Sequence, residues 1–101
     1  MLIREKDKKN IVDIAFKTIN TSSKILAFGS RVNGDAHEMS DLDLVVVSKN
    51  DEKLNIDELM NFKNSLRKSN IPIIVQVMDW GRIPKSFHNN ILKNYEVMVE
   101  L

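Results

Sequence analysis

The residues best suited to chemistry lie in one run, GSRVNGDAHEMSDLDLVVV, which spans residues 29–47. Asp41 and Asp43 are two positions apart, so in a strand their side chains point the same way while the neighbouring leucines face the core. Two adjacent carboxylates repel unless a cation lies between them, and Mg²⁺ prefers such ligands together with substrate phosphates. Gly29 allows close approach of a phosphate, and Ser30 adds a hydroxyl. The run therefore indicates metal-assisted phosphoryl chemistry.

Each half of this run also has an ordinary structural explanation. An Asp-x-Asp pair is often the solubilising rim of a strand, and Arg31 is more easily a solvated surface residue than a phosphate ligand. Gly29 and Gly34 have P-loop spacing, but Asp35 and Ala36 stand where Lys and Ser or Thr are needed. The run also lacks the Gly and the bidentate Glu of an EF-hand. The two halves together, in this order, favour a site.

Hydrophobic periodicity predicts the elements that hold these residues. A stripe of Ile11, Ala15, Phe16 and Ile19 predicts a core-facing helix, although part of the stripe could face a partner. Asn55 followed by Glu58 resembles a capping box. The predicted helices cover residues 7–20, 55–69 and a segment opened by Gly81 and Pro84 with a stripe ending at Tyr95; the predicted strands cover residues 24–28, 42–47 and 73–78. Residues 96–101 fit a final strand or the end of the last helix. This order predicts an α+β (mixed α/β) fold, a sheet of three to four mixed strands backed by helices.

Composition limits the classes of function. The 101 residues are enough for one domain, residues 1–101, with 43% hydrophobic and 29% charged residues. The net charge of +1 gives no electrostatic argument for nucleic-acid or membrane binding. The chain has no cysteine, and its charged N-terminus does not resemble a signal peptide. We therefore expect a cytoplasmic protein without a membrane span.

The run resembles the signature of the nucleotidyltransferase fold shared with DNA polymerase beta, and in particular the minimal nucleotidyltransferases (MNT). The pattern is Gly-Ser, a loop containing Gly, then Ser-Asp-x-Asp-Leu, and here its members are Gly29, Ser30, Gly34, Ser40, Asp41, Asp43 and Leu44. The resemblance covers nearly the whole chain. It implies Mg²⁺-dependent transfer of a nucleoside monophosphate, usually AMP from ATP. It also implies that Asp41 and Asp43 are catalytic and bind metal, and that Gly29, Ser30, Arg31 and Ser40 bind nucleotide.

The chain departs from the family pattern at the third carboxylate. That acid belongs on the strand after the second long helix, and the best alignment places Gln76 there. A glutamine offers a metal an amide oxygen without charge or useful basicity. Asp79 lies three residues further on, so we expect it to face the other side and to accept hydrogen bonds from the turn at Gly81. The third acid is therefore predicted to be missing.

The remaining polar residues carry weaker signals. His37 and His88 have no metal-binding spacing, so we expect them to be solvated. Asp35 and Glu38 are loop acids that could approach the metal. Arg82 and Lys85 could meet a phosphate or only solvent, and Trp80 fits either the core or a partner contact.

Free-standing MNT chains are commonly encoded beside a HEPN-domain protein, and in such pairs the MNT chain is an antitoxin that can adenylylate the HEPN toxin. The resemblance therefore implies a HEPN partner. The alternative is a catalytically impaired relative that binds nucleotide or masks a toxin surface, and Gln76 is the argument for it.

Overall fold

The structure is a computed structural model that describes residues 1–37 and 39–101. Its elements are α1 Glu5–Thr18, β1 Ser23–Phe28, α2 Ser30–Asn33, β2 Leu42–Ser48, α3 Ile56–Lys68, β3 Val75–Asp79, α4 Lys85–Lys93 and β4 Tyr95–Glu100, with 3-10 turns at Lys49–Asp51 and Trp80–Arg82. The strands form one sheet in the order β3-β2-β1-β4. β1 pairs antiparallel with β2 and β4, whereas β2 and β3 run parallel. The predicted mixed α+β class is confirmed.

Helices cover both faces of the sheet. Leu42, Leu44 and the inward stripe of α1 belong to one core, together with Phe62 of α3. The alternate residues of β1 and β2 form a second core with Trp80 and Ile91, on the side of α4. Because side chains alternate along a strand, Asp43 lies on the same face of β2 as Val45, the α4 side. The site therefore sits at the edge of the second core.

The predicted core stripe of α1 is right except at Phe16. Ile11, Ala15 and Ile19 are buried, as their spacing of four residues requires. Phe16 is one position, about 100°, away from Ala15 around the helix axis. It is 57% exposed, so the prediction that it belongs to the core is wrong.

Half of the predicted capping box forms at the start of α3. Asn55 Oδ1 accepts hydrogen bonds from the N–H groups of Asp57 (2.8 Å) and Glu58 (3.3 Å), as an N-cap does. The Glu58 carboxylate does not accept the hydrogen bond from the Asn55 N–H that would complete the capping box. It accepts hydrogen bonds from the N–H groups of Asn20 and Thr21 and from the Thr21 hydroxyl, so it fixes the α1–β1 turn to α3.

The C-terminal third differs from the predicted boundaries at β3, at the start of α4 and at the tail. β3 starts at Val75 rather than Ile73, after a bend that contains Pro72. The tail is a strand, β4, and Tyr95 belongs to it instead of to the stripe of the last helix. Pro84 immediately precedes α4, but Gly81, which was predicted to open the same helix, lies in the 3-10 turn Trp80–Arg82. Among the described residues, no helix is long and apolar enough to cross a bilayer.

Candidate functional site

The two acids of the motif lie at the beginning of β2. Asp41 immediately precedes the strand and Asp43 is its second residue, and both side chains are partly exposed. In the register of the sheet, Asp43 has Phe28 of β1 on one side and Gln76 of β3 on the other. The end of β1, where the chain turns at Gly29, therefore meets the acids directly.

Gly29 adopts a conformation that is nearly exclusive to glycine. Its φ of 81° and ψ of −159° lie in a region that side chains essentially forbid. A Cβ built on Gly29 would lie 2.4 Å from Oδ2 of Asp43, well inside van der Waals contact. The backbone turn and the Asp43 carboxylate are thus in close contact because residue 29 has no side chain.

The two carboxylates leave negative charge uncompensated. Burial raises the pKa of Asp43, and the neighbouring Asp41 charge raises it further. A divalent cation between the acids would relieve both effects. Among the described residues, no cluster of three or more His, Cys, Asp or Glu side chains could hold a metal by itself. The residues present fit a Mg²⁺ ion held by two carboxylates, with the remaining ligands from water and substrate phosphates.

Gln76 joins this site from β3. Its Nε2 donates a hydrogen bond of 2.7 Å to Oδ2 of Asp41, and in the strand register it lies opposite Asp43. The residue that takes the place of the expected third acid therefore contacts the acid pair through a neutral amide. A groove of about 590 Å³ follows β3 and the end of α3, and Gln76 is among its lining residues.

Asp79 connects parts of the fold through hydrogen bonds and an ion pair. Its buried carboxylate accepts hydrogen bonds from the N–H groups of Leu54 (2.9 Å) and Gly81 (3.3 Å) and pairs with Arg82. The prediction that Asp79 accepts from the turn at Gly81 is confirmed. Arg82 also donates a hydrogen bond to the Leu54 carbonyl oxygen, so this arginine fixes the segment that leads into α3.

Arg31 and Ser40 brace the loop that leads to Asp41. Arg31 is buried; its Nε donates to the carbonyl oxygen of Ser40 (2.9 Å) and its Nη1 to that of Leu2 (2.6 Å). The Ser40 hydroxyl accepts from the His37 N–H at 3.0 Å. The expectation that Arg31 is solvated is wrong, because these carbonyl groups replace water around the guanidinium. A role for Arg31 and Ser40 in nucleotide binding stays a prediction.

The other predicted polar residues have mixed outcomes. His88 is not simply solvated: its ring stacks on Trp80 at 3.6 Å, and its Nε2 lies 2.8 Å from the Trp80 carbonyl oxygen. Trp80 is buried in the second core. Asp35 is exposed, and Glu38 lies outside the described residues. The stacking was not predictable from sequence, since the two residues are eight positions apart across a turn.

Comparison with known proteins shows similarity in sequence and in fold. Residues 9–101 match the family model of the polymerase beta nucleotidyltransferase domain. The chain is 37% identical over 76 residues to a Haemophilus influenzae protein named probable protein adenylyltransferase MntA. That match covers 75% of this chain and 65% of the relative, so it spans less than two thirds of the relative's length.

Two solved structures share the fold. One is a toxin–antitoxin complex with AMP-PNP, with a TM-score of 0.75 and 18% identity over 93% of this chain and 73% of the other. The second is a complex of tri-AMPylated Shewanella oneidensis HEPN toxin with MNT antitoxin, with a TM-score of 0.70 and 14% identity. It covers 98% of this chain and 74% of the other.

Proposed function

This chain belongs to the polymerase beta nucleotidyltransferase family, and on that premise we propose that it transfers AMP from ATP, with Mg²⁺, to a protein or other macromolecular acceptor. The observation that carries the proposal is the contact between the Gly29 turn and the Asp43 carboxylate, with Asp41 on the same side. This arrangement brings a candidate phosphate site and two oxygen ligands to one point. The MntA-like relative supports an adenylyl transfer.

The residues have separate roles in this proposal. Gly29 and Ser30 hold the terminal phosphates of the nucleotide, and Asp41 and Asp43 hold the divalent cation. When bound, that cation neutralises charge on the transferred phosphoryl group and on the leaving pyrophosphate. Arg31 and the Ser40 hydroxyl keep the loop before Asp41 in place. Gln76 cannot accept the proton of the attacking hydroxyl, so the proton passes to solvent or to a group of the acceptor.

The acceptor is proposed to be a HEPN-domain toxin that this chain neutralises. The two solved structures described above are toxin–antitoxin complexes, and one of them contains a HEPN toxin that carries AMP.

A second candidate function is favoured by one contact. The hydrogen bond from Gln76 to Asp41 fills the place of a charged ligand with a neutral amide. A chain that binds Mg-ATP without transferring AMP would then neutralise its partner by binding alone. General-base assistance is worth about 10²–10⁴-fold in rate, so its absence leaves binding intact and makes transfer slow.

One assay separates the two functions. The chain and its HEPN partner are incubated with Mg²⁺ and ATP labelled at the α-phosphate, and label on the partner is counted. Transfer that Asp41→Asn and Asp43→Asn abolish, and that the exposed control Asp13→Asn retains, supports the enzyme. Absence of transfer in the wild type with gain of transfer in Gln76→Asp supports the binding-only function. A chain that does not bind Mg-ATP by calorimetry refutes both.

A further inference from the structure

Gln76 contacts the first acid of the pair through its side-chain amide. Its Nε2 lies 2.7 Å from Oδ2 of Asp41, which is the distance of a good charge-assisted hydrogen bond. An amide NH₂ satisfies that carboxylate oxygen with a donor but without charge. The contact is set by the parallel register of β2 and β3, which places Gln76 beside the acid pair. The register therefore keeps the Gln76 side chain within reach of Asp41.

Asp43 has a different neighbour. Its Oδ2 faces the backbone of the Gly29 turn, where a substituent on Gly29 would lie 2.4 Å away. The carboxylates of Asp41 and Asp43 are thus divided between the two sides of the site: one is held by Gln76, and the other faces the candidate phosphate turn. Oδ2 of Asp43 therefore lies next to the place where nucleotide phosphates are proposed to bind, whereas Oδ2 of Asp41 is already held by the Gln76 amide.

From this division we infer that the site takes one divalent cation with its nucleotide, on the Gly29 side, and that the Gln76 amide occupies the position of a second cation beside Asp41. The inference rests on the nucleotide binding proposed above. It adds that Gln76 sets the number of metal ions. A carboxylate at position 76 would repel Asp41 in place of donating to it, and a second cation would relieve that repulsion.

The test counts metal ions. Mn²⁺ is titrated into the chain saturated with AMP-PNP, and free Mn²⁺ is followed by its electron paramagnetic resonance signal. We expect one bound Mn²⁺ per nucleotide-loaded wild-type chain and two for Gln76→Glu. Gln76→Leu, which removes the donor without adding charge, is expected to keep one. Asn64→Asp, which adds an acid at an exposed position of α3, controls for the change in net charge.

Thermal stability gives an independent readout. Without metal, Gln76→Glu is expected to melt below the wild type because three carboxylates then converge. Mn²⁺ should raise its melting temperature more than that of the wild type, since a ligand bound only by the folded state stabilises it. If Gln76→Glu does not fold without metal, Gln76→Asp and the wild-type stoichiometry decide the question.

The outcomes distinguish the inference from the function on which it rests. A wild-type chain that binds the nucleotide with two Mn²⁺ ions overturns the inference and leaves the proposed function standing. The same holds if Gln76→Glu binds no additional Mn²⁺. A wild-type chain that binds no nucleotide refutes the proposed function and the inference together.

Discussion

Replacing Gly29 with alanine should damage the site more than the fold. The φ of 81° and ψ of −159° at Gly29 lie in a region that costs other residues about 1–3 kcal/mol. The added methyl group would also lie 2.4 Å from Oδ2 and 3.3 Å from Cγ of Asp43. The end of a side chain moves more easily than backbone, so the carboxylate is expected to turn away from the turn. Gly29→Ala therefore displaces one of the two proposed metal ligands.

Gly34 provides the matched control. It also has a positive φ, 93°, but a Cβ built there meets no atom within 4 Å. Gly34→Ala should thus cost about 1–2 kcal/mol in backbone conformation without moving a carboxylate. Each kcal/mol corresponds to a fall of about 4–8 °C in melting temperature for a chain of this size. Both variants are predicted to lose stability, and only one is predicted to lose the site.

The assay is calorimetric titration of Mn²⁺ with AMP-PNP, at a temperature where urea denaturation shows each variant to be folded. Gly29→Ala is expected to bind at least about tenfold more weakly, which is 1.4 kcal/mol. Gly34→Ala is expected to bind as the wild type does. Wild-type affinity in folded Gly29→Ala would refute the reasoning, because the close contact with Asp43 would then have no bearing on the site. Equal losses in both variants would refute it too.

Three further predictions concern single carboxylates. Asp79→Asn should lower stability by about 1–2 kcal/mol, because it breaks the pair with Arg82, but should leave Mn²⁺ affinity unchanged in a titration of the folded chain; a lost affinity at unchanged stability would make Asp79 a metal ligand. Asp43→Asn should raise the melting temperature without metal, since it removes a charge that burial and Asp41 disfavour, and a lower melting temperature would contradict this. For Glu58, burial alone raises the pKa, but hydrogen bonds from Thr21 and Asn20 outweigh it and lower the pKa below the usual glutamate value. That stabilisation is present at neutral pH and is lost as pH falls through the lowered pKa. In urea denaturation, the free energy of unfolding of Glu58→Gln should therefore fall less between neutral pH and about pH 3 than that of the wild type.

Sequence patterns predicted the three longer helices and the first three strands because these have strong local signals, whereas the tail was left open between a strand and the end of a helix. Ile11, Ala15 and Ile19 repeat with the helical period, and the Asn55 cap marks the start of α3. The errors occur where tertiary contacts decide. Phe16 is apolar, but the sheet lies on the other side of α1. Tyr95 continues a spacing of four residues, but pairing with Phe28 of β1 makes it part of a strand.

The residues of the candidate site could be predicted from the sequence, but the contacts between them could not. The spacing of Asp41 and Asp43 and the glycine at the end of β1 are local features. The bond between Gln76 and Asp41 depends on the parallel register of two strands 35 residues apart in sequence. The burial of Arg31 depends on carbonyl groups from Leu2 and Ser40, which no spacing rule relates. Non-local contacts of this kind can be predicted only after the order of the strands in the sheet is known.

Asp43 and Asp79 show how structure separates a site carboxylate from a structural one. They lie in the adjacent strands β2 and β3, and Asp79 is the more deeply buried of the two. Asp79 is satisfied by two N–H groups and Arg82, so its charge is compensated within the fold. Asp43 has a raised pKa, with another acid beside it and a glycine-only turn against it. A folded chain gains no stability from that arrangement, and in the proposed function the divalent cation compensates the charge when it binds.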